Sequence, residues 1–152
     1  MKNKLSVAVT ALLFTFLVIS CKKDNDGTSQ QTKTTEEILT SRSWRLDEIR
    51  FLQNNVISYY KRGVTSDPNS FNTESIKFNT DKSGTYIAGG ITYAMTWDFD
   101  DTEKASIKFI ISFAAPLTVT WDNLIFTESS IKYSEYYNRT GSNVLGFATR
   151  IP

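Results

Sequence analysis

The sequence predicts an all-β domain, an eight-stranded antiparallel up-and-down barrel preceded by a short helix, and three observations predict it. From Trp44 onward the apolar residues recur at every second position, as in Ile91, Tyr93, Met95, Trp97 and Phe99, the period of a strand with one buried face. The connections between most of these runs are short and polar, so consecutive runs form antiparallel hairpins. Each run carries one apolar and one polar face, which suits a sheet that closes on itself and so removes its edges. A two-sheet β-sandwich is the alternative, because alternation alone does not specify closure.

The helix comes first. In Thr34-Thr35-Glu36-Glu37-Ile38-Leu39, Thr34 is the N-cap and Glu37, three residues on, completes a capping box, with Ile38 and Leu39 on the buried side. A helix this short cannot stand alone. Strands follow over residues 44–51, 75–78, 85–88, 91–99, 105–113, 117–126, 131–137 and 144–149. Between them, Asn79-Thr80-Asp81-Lys82-Ser83-Gly84, Gly89-Gly90, Asp100-Asp101-Thr102-Glu103, Thr127-Glu128-Ser129-Ser130 and Asn138-Arg139-Thr140-Gly141-Ser142 have turn chemistry. In 105–113 the residues Ala105, Ile107, Phe109, Ile111 and Phe113 share one side, and Ile110 breaks the polar side. In 117–126 the apolar phase passes from Leu117, Val119 and Trp121 to Leu124 and Phe126, predicting a bulge near Asp122-Asn123. Residues 52–73 are the outlier, too long for a hairpin. They offer a ninth short strand at 56–61, and their length marks a lid carrying Tyr59 and Tyr60.

Before the helix the chain changes character. Met1-Lys2-Asn3-Lys4 is followed by an apolar run over residues 5–19 and then by Ser20-Cys21, the layout of a secretory signal peptide and too short a run to span a bilayer as a helix. Val18-Ile19-Ser20-Cys21 resembles the bacterial lipobox, in which the cysteine is acylated and becomes the new N-terminus. That resemblance implies lipidation of Cys21, with residues 1–20 removed. Several acyl chains give a lasting membrane attachment. Cys21 is the only cysteine, so no disulfide within the mature chain is expected and the core alone must hold the fold. Residues 22–35 contain nothing apolar to bury and form, with Cys21, a flexible tether. Lys22-Lys23-Asp24 with Asp26 also resembles the stretch that follows the anchor cysteine in surface-exported lipoproteins of Bacteroidota. The domain proper is residues 36–152.

Composition narrows the functional classes. The 152 residues are 40% hydrophobic, 13% aromatic and 22% charged, which fits one globular domain. Lys and Arg number 17 against 16 Asp and Glu, so there is no basic field to hold nucleic acid. Histidine is absent, which removes the Ser-His-Asp and Cys-His arrangements and the usual histidine-based zinc and haem sites. Asp98, Asp100, Asp101 and Glu103 form the densest acidic cluster, but alternation and turn chemistry make them a solvated hairpin tip. Asn79, Asp81 and Ser83 match the start of a calcium loop whose twelfth position is Gly90 instead of the bidentate Glu. No metal, cofactor or catalytic group is expected.

A Trp after a short helix, a long first connection, the hairpin from Phe78 through Asp81 and Gly84 to Tyr86, and the Tyr93-to-Trp97 strand together resemble the lipocalin-like lipoproteins of Bacteroidota. The likeness covers residues 36–152. It implies a lipocalin-like barrel, anchored to the outer membrane, that binds a small apolar molecule at its mouth without catalysis. An eight-stranded barrel is filled by its own side chains or holds one small ligand. For a cavity, the candidate wall residues are Tyr86, Tyr93, Trp97, Phe109, Trp121 and Tyr133. For a filled core, the protein is a monomeric structural or interaction module that meets an envelope partner through its surface.

Overall fold

The computed structural model describes residues 33–66, 71–139 and 142–152. The expected signal peptide, Cys21, the expected tether up to residue 32 and part of the turn after Asn138 lie outside the described residues. The described chain folds as helix α1 (Thr35–Thr40) and nine strands: β1 (Ser43–Gln53), β2 (Val56–Lys61), β3 (Ser75–Phe78), β4 (Ser83–Ala88), β5 (Ile91–Phe99), β6 (Ile107–Ile111), β7 (Leu117–Thr127), β8 (Ser130–Arg139) and β9 (Ser142–Ile151). All neighbours are antiparallel. The order runs β1-β3-β4-β5-β6-β7-β8-β9 and returns to β1, where Arg45 to Gln53 pair with Ile151 to Val144. That last pairing makes a closed eight-stranded barrel and disposes of the sandwich.

The ninth strand explains the long connection. β2 pairs with β1 from Glu48 to Gln53, on the edge where β3 pairs from Ser43 to Arg45. β2 and β3 thus share one position in the barrel wall, interrupted by residues 62–74. Asn54 and Asn55, at φ 50° and 62°, turn the chain from β1 into β2, and Gly89 and Gly90, at 57° and 79°, do so between β4 and β5. Two successive left-handed residues match the twist of a two-residue hairpin. A bulge between Leu46 and Glu48 lets Trp44, Leu46, Ile49 and Phe51 all face inward despite their odd spacing. A second, between Asp122 and Ile125, does the same for Trp121 and Leu124, with Asn123 at φ 56°.

One end of the barrel is plugged. Thr34 accepts from the Glu37 backbone N–H at 3.2 Å while its own N–H donates to the Glu37 carboxylate at 2.7 Å, so the capping box starts α1 where the spacing predicts it. Leu39 is fully buried, and Trp44 donates its indole N–H to the Leu39 carbonyl at 2.8 Å. Lys82 and Lys104 close on Glu36 at 2.8 and 2.9 Å and hold its carboxyl below the ordinary value. These pairs are partly solvated and each contributes about 0–1 kcal/mol. The burial of Leu39 and Trp44 is what seats the helix.

Above the plug the interior is packed with rings. Phe78 meets Trp97, Phe109 and Trp121 edge-on at 5.3, 6.0 and 5.6 Å, and Trp121 stacks on Tyr133 at 4.0 Å. Such pairs add about 0.5–1.5 kcal/mol each beyond the area they bury.

Candidate functional site

The upper half of the barrel is less full. A cavity of about 100 Å³ opens there, walled by Phe51, Phe71, Ile111, Phe113 and Leu117 and floored by Glu74, Glu135 and Arg150. A broader groove of about 470 Å³ runs over the outside of the wall between Arg50, Ile125, Lys132 and Phe147. It is shallow and open to solvent, whereas the interior cavity encloses polar groups, and enclosed polar groups beneath apolar walls are what specify a ligand.

The floor is built from two strands and the end of the long connection. On β8, Ile131, Tyr133, Glu135 and Tyr137 share the inward phase. On β9, Val144, Gly146, Ala148 and Arg150 do. Arg62 delivers Glu74: its guanidinium donates to the carbonyls of Leu46, Phe71 and Asn72 at 2.8, 3.1 and 2.9 Å, clamping the 3₁₀ turn Phe71–Thr73 against β1. Phe71 then lies over the mouth against Tyr60 and Phe51, with ring centroids 5.1 and 6.1 Å apart. Glu74 is buried directly below.

Arg150 is 3% exposed and fully engaged. It pairs with Glu74, donates to the Tyr133 hydroxyl at 2.8 Å and to the Trp44 carbonyl at 3.3 Å, and its guanidinium carbon lies 5.1 Å from the centre of the Trp121 ring. Burial works against its charge, but Tyr133, Glu74 and Glu135 outweigh that and push its pKa up. Burial also pushes up the hydroxyls of Tyr133 and Tyr86, so both stay neutral. Glu135 accepts from the Trp121 indole N–H at 2.8 Å. Removal from water raises its carboxyl to about 7; the positive Arg150 and the indole bond pull it down, and the negative Glu74 adds to the rise.

The six aromatics proposed from the sequence separate by depth. Tyr86 and Phe109 line the cavity. Tyr93 packs at 4.5 Å against Phe113, itself a wall residue. Trp121 and Tyr133 form the ring stack under the floor and position Glu135 and Arg150 by hydrogen bonds. Trp97 sits deeper, donating its indole N–H to the carbonyls of Asn79 and Ser83, both at 3.0 Å, with the Lys82 ammonium 4.2 Å from the ring centre. Of the two tyrosines assigned to a lid, Tyr59 points outward to Glu48 at 3.1 Å. Tyr60 is 2% exposed and belongs to the core, donating to Asn72 at 2.8 Å. The acidic hairpin tip is occupied locally, with Asp100 paired to Lys108 at 2.8 Å and Asp101 accepting from the Ala105 N–H at 3.0 Å.

Sequence reasoning missed Glu74, Glu135 and Arg150. For two of them a signal existed: Glu135 and Arg150 stand in the inward phase of their strands, and a charge in that phase is buried and must find a partner. Glu74 had none, since it precedes its strand and its placement depends on Arg62.

Fold and cavity together define a class: a small closed antiparallel barrel of lipocalin-like type, packed at one end and hollow at the other over a buried ion pair. Comparison of the chain with protein-family models, with curated proteins and with solved structures gives no match.

Proposed function

We propose that this chain is a lipid-anchored protein of the outer membrane, held through acylated Cys21, whose barrel binds a small, largely apolar molecule through its open end without catalysis. The observation that carries the reading is the cavity: apolar walls above a floor of buried, oriented charge. A barrel that needed only to be filled would be expected to put an aliphatic side chain where Glu135 stands, because a carboxyl half-buried on the inward face loses hydration that an aliphatic side chain does not need. About 100 Å³ suits a compact ligand and is small beside the pockets of drug-sized ones.

The packed aromatic lower half supports a second reading, a filled barrel that works through its surface on an envelope partner. Native mass spectrometry of the chain released from its own envelope separates the two. An added mass that disappears on denaturation is expected, and a bare protein mass would leave the filled barrel standing. For the anchor, Cys21→Ser is expected to move the protein out of the membrane fraction; its persistence there would refute the anchor.

A further inference from the structure

The charges on the cavity floor do not balance, and the imbalance has a sign. Arg150 is matched by Glu74, with which it pairs directly, and its remaining bonds go to Tyr133 and Trp44. Glu135 is left over. One of its oxygens accepts from Trp121; the other accepts no hydrogen bond among the described residues, while Glu135 itself lines the cavity. With Glu135 ionised the floor therefore carries one net negative charge and an unused acceptor. An anionic ligand would face two carboxylates and would have to break the Arg150–Glu74 pair. A cation breaks nothing, gains a charge-assisted hydrogen bond, and enters a cavity lined by aromatic residues, the side-chain type that attracts cations.

We propose that the ligand carries a protonated amine on a short apolar tail, with Glu135 as its counter-ion and Phe113, Leu117 and Ile111 around the tail. This rests on the ligand-binding reading above and names the ligand's chemistry. The groups facing Glu135 are Glu74 from the segment before β3, Arg150 from β9, Tyr86 from β4 and, from its own strand, Tyr133 and Tyr137; Trp121 donates from β7. Because burial raises the Glu135 carboxyl to about 7, an amine must displace a proton at lower pH, and affinity rises as the pH climbs through that value. A neutral ligand shows no such slope.

The test uses the full chain, with its anchor, in phosphatidylcholine nanodiscs, and titrates three four-carbon probes by calorimetry against empty discs: butylamine, 1-butanol and butyrate. At about pH 8, where the alkylammonium is charged, butylamine is expected to bind about tenfold tighter than 1-butanol, with butyrate weakest. The margin should shrink at about pH 6, where the alkylammonium remains charged and Glu135 does not. Glu135→Gln should bring butylamine level with 1-butanol, and a far-UV circular dichroism spectrum that superposes on that of the unaltered chain shows that the variant is folded. Equal binding of amine and alcohol to the unaltered chain would overturn the cationic ligand and leave the cavity reading intact. Tightest binding of butyrate would overturn it in favour of recognition by Arg150. Binding of none of the three would overturn both readings.

Discussion

Glu135→Gln should abolish a pH-dependent weakness of the ligand-free barrel. In the unfolded chain Glu135 titrates near 4.5, and inside the barrel near 7. Between these values the folded protein holds a proton that the unfolded chain has released, so acid favours folding. The contribution is present in full below the unfolded value and is lost as the pH rises through about 7. The gap corresponds to about 3 kcal/mol, of which about 2 to 3 falls between about pH 5 and pH 8. The amide keeps an oxygen for the Trp121 indole and carries no charge at any pH. The variant should therefore lack this slope and be the more stable chain at about pH 8. Glu74, Arg150 and every other titrating group are common to both proteins, so the difference between their stabilities isolates the one carboxyl. Equilibrium denaturation read by tryptophan fluorescence suits the measurement, since Trp44, Trp97 and Trp121 are all buried in the barrel. Parallel stability curves for the two chains across this range would refute the reasoning: Glu135 would then titrate at its ordinary value, in contact with bulk water.

Trp97→Ala removes a ring packed against Phe78 and Phe99 and should cost about 3–5 kcal/mol by chemical denaturation, while native mass spectrometry still finds the ligand mass. A variant that kept its stability and lost the ligand would put Trp97 in the binding site instead. Arg150→Met leaves Glu74 buried without its cation and takes the positive charge away from half-buried Glu135; it should cost about 3–5 kcal/mol at neutral pH, part of it recovered in acid as Glu135 takes up a proton. A cost below about 1 kcal/mol would mean that the pair is solvated.

Much of this architecture is local and could be read along the chain. Period-two alternation in 91–99 and 131–137 specifies strands and says which side chains share a face. The Thr34 and Glu37 pair starts the helix, and the change of phase after Trp121 marks a bulge, because each depends on residues only a few positions apart. Smaller departures have local causes too. β6 is shorter than residues 105–113 because Ala105 is held by the turn at Asp101, and β9 runs past Thr149 to carry Arg150 inward along β1.

Closure is different in kind. It requires Arg45 to meet Ile151 across the whole chain, and alternation is equally compatible with a sandwich. The division of the interior into a packed floor and a hollow top is likewise decided by how eight strands converge, which is why Trp97 and Tyr86, alike in the sequence pattern, end at different depths. The cavity's charge is decided last of all. Glu74, Glu135 and Arg150 come from positions far apart in the chain, and only the closed barrel brings them out of water together. By itself the sequence determined the strands, their faces, the helix cap and the expectation of a lipid anchor, since each rests on neighbouring residues. The tertiary structure alone decided closure, cavity and the buried charge, since these depend on distances between residues that only folding makes neighbours.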